Sequence, residues 1–267
     1  MPKLKGDKNF MGLTNAECIV AFKHVLDNSD SLYEDAKLLA NNGSYGRATS
    51  MLIHSTEEMM KAFILFLDGH GFQFRSKVSG IHNLFVNHKL RYGLAMLLSI
   101  LYILSEDLKH MLNIVKNTPK LVIDFNKDKD EAKNVILNYA QKKIKTICQE
   151  VLWFSKAEFL RQDGFYVDYV DDIKTPLQIS KKDFDDVLVR IDGMKSFVSE
   201  LYQSFESNDE MFLQEIDNAK RRFINENWYG HISKLIEKFT DRKNNPFENV
   251  LNILSEFSEE LNNKIIK

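Results

Sequence analysis

The sequence predicts an all-α protein, and three observations support this fold class. Apolar side chains recur at helical spacing along nearly the whole chain. Only 4 Pro and 11 Gly occur among 267 residues, so few positions interrupt a helix. Residues typical of helix starts and stops also flank the apolar segments. With 44% hydrophobic and 28% charged residues, the chain can fold around one large core or two small ones.

The first two helices are predicted to form an antiparallel hairpin. Thr14 and Glu17 form a capping-box pattern at the start of the first helix. This helix ends at Asn42-Gly43, because Gly readily adopts the left-handed conformation of a helix C-terminus. Ser44 caps the second helix, which is expected to run to about Asp68. The short connection places the two helices side by side in opposite directions.

Two longer helices complete a predicted antiparallel four-helix bundle. The third helix starts near Ile81 or His82 and ends before Pro119, with Gly93 as a point of close helix approach. A charged insert at 120–129 precedes the fourth helix. The remaining predicted elements are the fourth helix at 130–162, an irregular segment at 165–179, and helices at 181–206, 209–240 and 246–266. The expected domains are therefore a bundle at 14–180 and a C-terminal helical extension at 181–267.

Charge and cysteine content indicate the setting in which the chain works. The formal net charge is −2, so any RNA contact must come from a local basic patch. The two cysteines, Cys18 and Cys148, lie within helical patterns, which is typical of a reducing cytoplasm. The N-terminus lacks the apolar segment of a signal peptide, and the apolar run at 94–104 is too short to span a bilayer. We expect a cytoplasmic protein with no membrane partner.

A row of polar side chains on the second helix is the strongest functional indication in the sequence. Arg47, His54, Glu58 and Lys61 lie within roughly ±40° of one line along that helix. Apolar side chains occupy a neighbouring face, which predicts a charged cleft beside a buried stripe. Arg would bind an anion such as phosphate, and His could transfer protons near neutral pH.

These residues also carry a family resemblance. Arg47 and His54, with six residues between them, resemble the Arg-x(4–6)-His signature of the HEPN superfamily, four-helix-bundle proteins that include many metal-independent ribonucleases. The wider context resembles AbiV, a HEPN family of bacterial abortive-infection proteins, over about residues 14–180. The resemblance implies that the predicted antiparallel four-helix bundle is HEPN-like. Met60 and Phe165 depart from the residues usual in that family. The matching segments are 32–36, 43–48, 54–61, His88-Lys89 and Arg161-Gln-Asp-Gly-Phe-Tyr-Val-Asp168.

The resemblance implies an anti-phage protein that dimerises and shuts down translation by cleaving RNA where two Arg–His pairs meet. Arg47 would bind the scissile phosphate, His54 would transfer the proton, and Glu58 would orient one of them. No metal ion or other cofactor is expected. A phage-encoded activator protein or a regulated conformation is expected, because a nuclease toxic to its host must be held inactive. The residues expected to line the RNA cleft are Lys61, His88, Lys89, Arg161 and Tyr166.

Structural interpretations of the same residues remain open at this point. Arg47 could form an ion pair with Glu34, Asp35 or Glu58, and His54 could be a hydrogen-bonded bundle histidine. Glu57 is interpreted as part of a solvated helix face. A metal site is a further alternative, since His54-Ser-Thr-Glu57-Glu58 has ligand types at helical spacing, although no second such motif appears. The rival function is a non-catalytic interaction protein that blocks translation or phage development by binding a protein or ribosomal partner.

Overall fold

The computed structural model of the protein describes residues 9–117, 129–169, 172–207, 209–241 and 245–265. Within these ranges nearly all regular structure is helical, which confirms the predicted all-α class. The helices are α1 Asn15–Asn41, α2 Tyr45–Gly69, α3 Phe74–Lys77, α4 His88–Asn117, α5 Lys129–Asp163, α6 Lys181–Glu206, α7 Glu210–Asn225, α8 Trp228–Thr240 and α9 Pro246–Ile265. Short 3₁₀ helices occur at Phe10–Gly12, Ile81–Phe85 and Pro176–Gln178. Strands β1 Asp168–Tyr169 and β2 Ile173–Lys174 pair antiparallel.

Helices α1 and α2 form the predicted antiparallel hairpin. The capping box at the start of α1 is present: the Thr14 hydroxyl accepts from the Glu17 N–H, and the Glu17 carboxylate accepts from the Thr14 N–H. Gly43 has a φ of +75°, the left-handed conformation that the turn requires. Ser44 occupies the N-cap position of α2 but makes no side-chain capping hydrogen bond.

Helix α2 is buried on nearly every face, which makes it the central element of the site region. Helix α6 packs along it through an aromatic cluster, in which the Phe66 ring lies 4.3 Å from Tyr202 and 4.9 Å from Phe205 between centroids. Polar contacts also join α6 to α1, since the Tyr33 hydroxyl donates to Asp192 at 2.5 Å. Because α2 packs on several sides, polar side chains on it can be buried too.

Two predicted helix boundaries are wrong for local reasons. The third bundle helix begins at His88 rather than near Ile81, because Gly80 adopts a φ of +78° and a 3₁₀ turn follows it. The helix predicted over 209–240 is divided into α7 and α8 by Asn227, which adopts a φ of +54°. Asn tolerates this left-handed conformation better than most residues. The insert predicted at 120–129 lies outside the described residues, apart from Lys129.

The described residues form two compact units. The first contains α1 to α3, the start of α4 up to Ala95, the end of α5 from Ala157, and the chain from there through α8. Here Gly93 is a point of close approach, as predicted: a Cβ atom would lie 2.5 Å from the Phe239 ring. The second unit contains the rest of α4 and α5 together with α9. In that unit Ser99 on α4 donates a hydrogen bond of 2.9 Å to Glu150 on α5.

All the predicted site residues belong to the first unit. The predicted domain division, with a bundle at 14–180 and an extension at 181–267, stays a prediction. Each described helix is either too short or too polar to span a bilayer.

Candidate functional site

Two glycines bring the end of α5 against the start of α2. A Cβ atom at Gly164 would lie 2.3 Å from the carbonyl oxygen of Gly46, so a larger residue does not fit without a shift of the backbone. Beside this contact, the Ser50 hydroxyl donates a hydrogen bond of 2.7 Å to the carbonyl oxygen of Arg161. The packing holds Arg161 and Phe165 next to the polar residues of α2.

Arg47 is exposed near the start of α2. In the part of the chain that the structure describes, its guanidinium group makes no ion pair or hydrogen bond. It lines a cleft of about 370 Å³, which we call the Arg47 cleft, together with the α1–α2 turn, Phe165, Val167 and segment 175–179. Arg47 therefore does not form the structural ion pairs that were its alternative interpretation.

His54 follows Arg47 by two helical turns, a rise of about 10.5 Å along the helix axis. Its side chain is 31% exposed. Its ring centroid lies 5.7 Å from that of Phe165, which also lines the Arg47 cleft, so one aromatic side chain borders both residues. Burial lowers the pKa of His54 below its usual value, against the opposing effect of Glu57. The imidazole is therefore neutral at pH 7.

Glu58 does not orient His54 or Arg47, contrary to the sequence prediction. Its carboxylate pairs with Lys61, one turn along α2, and both side chains are partly exposed. The carboxylate that faces His54 belongs to Glu57, whose Oε2 lies 3.9 Å from the imidazole Nδ1. The interpretation of Glu57 as a solvated residue is wrong, because its side chain is only 3% exposed.

Glu57 is the centre of a polar cluster formed by α2, α4 and α5. Its carboxylate accepts hydrogen bonds from Tyr92 Oη at 2.6 Å, His88 Nδ1 at 2.8 Å and Arg91 Nη2 at 3.1 Å. Burial disfavours the charged carboxylate, but these neighbours outweigh burial and lower the pKa of Glu57. Glu57 is therefore ionised at neutral pH. We call the Glu57 cluster the set Glu57, His88, Arg91, Tyr92, Glu158 and Arg161.

Nδ1 of His88 faces both a hydrogen-bond acceptor and a donor. It lies 2.8 Å from both carboxylate oxygens of Glu57 and 2.8 Å from Arg91 Nη2. An ionised carboxylate only accepts and a guanidinium group only donates, so Nδ1 donates to Glu57 when it carries a proton. Arg91 also donates to Glu57 and to the carbonyl oxygen of Leu84. In a protonated ring both nitrogens carry a proton, and the Nε2 proton is then the one that a ligand can take.

Arg161 and Glu158 form the second ion pair of the Glu57 cluster. Arg161 donates to Glu158 through Nη2 at 2.7 Å and Nε at 3.2 Å, and its Nε lies 3.8 Å from Glu57 Oε1. Burial raises the pKa of Glu158, but Arg161 and Tyr92 outweigh this effect and lower it. Arg161 was predicted to bind substrate, whereas its 13% exposed side chain is engaged within the protein.

His88 and Lys89 line a second cleft, of about 640 Å³, which we call the His88 cleft. Glu158 and the end of α8 also contribute to its wall. Lys89 is exposed, and the described residues provide no ion-pair partner for it. Tyr166 is 63% exposed and packs against Phe165 beside the Arg47 cleft. Three of the predicted site residues line these clefts, Arg47 in the first and His88 and Lys89 in the second. Lys61 is paired with Glu58 instead, and Arg161 with Glu158.

Comparison with protein families identifies the family of this chain. The family model of AbiV, of the HEPN type, matches residues 17–194, which is more than half of the chain. The chain belongs to the AbiV family. This confirms the resemblance seen in the sequence, and membership of the AbiV family indicates an abortive-infection, HEPN-type function. Comparison with curated proteins and with solved structures gives no significant match.

The Glu57 cluster of this AbiV-family protein also contains residue types that bind metal ions. Ligand atoms of Glu57, His88 and Glu158 lie within 4.8 Å of one another. Arg91 and Arg161 already pair with the two carboxylates, so a divalent cation would have to displace two guanidinium groups. The alternative metal set of His54, Glu57 and Glu58 is not brought together, because Glu58 is turned to Lys61.

Sequence reasoning about this AbiV-family chain missed Tyr92 and Glu158 and assigned Glu57 to the wrong environment. The error on Glu57 arose because α2 is buried on nearly all sides and so lacks the solvated face expected of a one-sided amphipathic helix. One signal was available. His88, Arg91 and Tyr92 share one face of a helix at i, i+3 and i+4, and a polar face of this kind beside apolar residues indicates a buried network.

Proposed function

We propose that this AbiV-family protein is an anti-phage effector that cleaves RNA without a metal ion and thereby shuts down translation in infected cells. One observation carries the proposal: the exposed guanidinium group of Arg47 stands two turns before the neutral imidazole of His54, and Phe165 borders both. A planar guanidinium group binds two phosphate oxygens. A neutral imidazole accepts a proton near neutral pH.

In the proposed reaction, His54 removes the proton of a ribose 2′-hydroxyl, and the 2′-oxygen attacks the adjacent phosphorus. The bond between phosphorus and the 5′-oxygen breaks, which gives a 2′,3′-cyclic phosphate and a 5′-hydroxyl group. Arg47 stabilises the negative charge that builds up on the phosphate oxygens. Tyr166, exposed beside Phe165, offers an aromatic face on which an RNA base can stack.

A homodimer and a regulated state belong to the same proposal. A two-fold symmetric dimer would present two Arg47–His54 pairs, one from each protomer. Because cleavage of cellular RNA harms the host, we propose that a phage-encoded protein activates the enzyme during infection. Sedimentation of the purified protein tests the dimer, and a monomer at all concentrations would contradict it. A cytoplasmic location follows from translation as the target.

The nuclease is tested by incubating the purified protein with total RNA in the presence of EDTA. We expect wild-type protein to cleave RNA, His54→Ala to lose about 10²–10⁴-fold in rate, and Arg47→Ala to lose about 10²–10³-fold. His24→Ala and Arg221→Ala are matched controls, because both residues are exposed and lie on α1 and α7, which carry none of the site residues. Circular dichroism verifies that each variant is folded. Intact RNA with wild-type protein, or equal cleavage by His54→Ala, would refute the nuclease.

A second function has specific support from the segment after α5. Five of its apolar side chains are 54% to 93% exposed, a pattern typical of protein–protein contact surfaces. In this alternative the protein blocks translation or phage development by binding a protein or ribosomal partner. Full phage protection by His54→Ala, together with loss of protection in Leu177→Asp, would favour it over the nuclease. The exposed side chains are Tyr166, Val167, Tyr169, Ile173 and Leu177.

A further inference from the structure

Two histidines share the carboxylate of Glu57. Nδ1 of His88 lies 2.8 Å from Glu57 Oε2, and Nδ1 of His54 lies 3.9 Å from the same oxygen. The two rings come from different helices, α4 and α2, and their side chains are 39% and 31% exposed. Strand cleavage of RNA needs one group that accepts a proton and another that donates one. Two imidazoles beside the Glu57 carboxylate can supply the proton acceptor and the proton donor.

The hydrogen bonding of His88 defines which of its nitrogens can react. In the protonated ring both nitrogens carry a proton, and Nδ1 then donates to the ionised Glu57. The Nε2 proton is therefore the one that can pass to a leaving oxygen. His88 also lines the His88 cleft beside the exposed Lys89, whose charge attracts a phosphate backbone. His88 thus combines a fixed orientation with access to a ligand.

We propose that His88 is the general acid of the RNA cleavage assigned to this protein, with His54 of the same protomer as the general base. This inference rests on the proposed function and names the residue that protonates the leaving group. One protomer then holds both proton-transfer groups.

Charged groups from α2, α4 and α5 face the two rings. Nδ1 of His88 lies 2.8 Å from a carboxylate oxygen of the ionised Glu57 and 2.8 Å from Arg91 Nη2. Glu158 and Arg161 form a compensated ion pair beside them, and Tyr92 is neutral because burial and Glu57 raise its pKa. His54 is farther from Glu57, and burial lowers its pKa, so it is the ring that starts neutral.

Protons and bonds balance in this scheme. His54 takes the proton of the 2′-hydroxyl as the bond between the 2′-oxygen and phosphorus forms. His88 gives its Nε2 proton to the 5′-oxygen as the bond from phosphorus to that oxygen breaks. His54 ends protonated and His88 ends neutral, and proton exchange with water restores both. No oxidant, reductant or metal ion takes part.

Replacing the leaving oxygen by sulfur tests the role of His88. A thiolate leaves without a proton, so an RNA with sulfur in place of the bridging 5′-oxygen at the mapped cleavage site does not need a general acid. We expect His88→Asn to lose about 10²–10⁴-fold on ordinary RNA and less than about tenfold on the sulfur-containing RNA. His54→Asn should lose activity on both substrates. Asn keeps an N–H donor for Glu57, and His24→Asn is the matched surface control.

The outcomes separate this inference from the proposed function. If wild-type protein cleaves neither substrate, the proposed function fails and the role of His88 fails with it. If wild-type protein cleaves both, equal losses of His88→Asn on the two substrates, or no loss on either, overturn the role of His88 and leave the nuclease standing. The pH profile gives a second readout, because His88→Asn should abolish the fall in rate at alkaline pH on ordinary RNA. Thermal unfolding verifies that His88→Asn is folded, and His88→Gln serves as a second amide variant in the same measurement.

Discussion

Glu57→Gln is expected to destabilise the protein strongly, because it removes one charge from a buried ion pair. The side chains of Glu57 and Arg91 are 3% and 5% exposed, and Glu57 Oε2 lies 3.1 Å from Arg91 Nη2. Removing one partner of such a pair costs about 3–5 kcal/mol, since the other charge stays buried without compensation. The Gln amide oxygen can still accept a hydrogen bond from Arg91 or Tyr92. We therefore expect a loss of about 3 kcal/mol in the free energy of unfolding, the lower end of that range.

Glu58→Gln is the matched control, because it makes the same chemical change one residue further along α2. The Glu58–Lys61 pair is partly exposed, so its loss should cost less than about 1 kcal/mol. Urea titration followed by circular dichroism measures both values. Adding Arg91→Met to Glu57→Gln should recover part of the loss, because no unpaired cation then remains at that position. Equal losses for Glu57→Gln and Glu58→Gln would refute the central role of Glu57.

Four further outcomes are expected. The free energy of unfolding should fall as the pH drops below about 4.5, because the fold lowers the pKa of Glu57 and Glu158. The two ionised carboxylates contribute their full stabilisation above that pH and lose it when they are protonated. A constant free energy of unfolding between about pH 6 and pH 3 would contradict this. Gly164→Ala should lower stability by about 1–3 kcal/mol in thermal unfolding, whereas Gly12→Ala, with open space around it, should change it by less than about 0.5 kcal/mol. The acidic limb of the RNA-cleavage pH profile should lie below about pH 6.5, because burial lowers the pKa of His54, and a limb above that value would disagree. Added Mn²⁺ should leave the midpoint of thermal unfolding unchanged, since guanidinium groups pair with both carboxylates of the Glu57 cluster; a rise that disappears in His88→Asn would reveal a metal site.

Local signals in the sequence were sufficient to predict most of the helices. The capping box at Thr14 and the glycine turn at Gly43 depend on neighbouring residues, so the first hairpin could be placed from the chain alone. The division at Asn227 could not, because a single Asn in the left-handed conformation leaves the helical periodicity on both sides unchanged. The late start of α4 could not be predicted either, because the 3₁₀ turn before it continues the helical pattern of side chains.

The site was predictable only where one helix defines it. Arg47 and His54 lie on α2, so their spacing alone predicted that they share a side of that helix. The contact between Glu57 and His88 joins residues 31 positions apart, and the one between Glu57 and Tyr92 joins residues 35 apart. Such contacts depend on how the helices pack. The periodicity of α2 indicated one apolar face, whereas the folded chain buries several, and this difference reversed the environments of Glu57 and Glu58.

The aromatic contact between α2 and α6 has a practical consequence for any shortened version of the chain. A protein that stops at residue 180 would lose Tyr202 and Phe205 and so uncover the rings of Phe22 and Phe66. Apolar surface of that kind promotes aggregation. A fragment intended for crystals or for NMR spectroscopy should therefore continue through Glu206, where α6 ends.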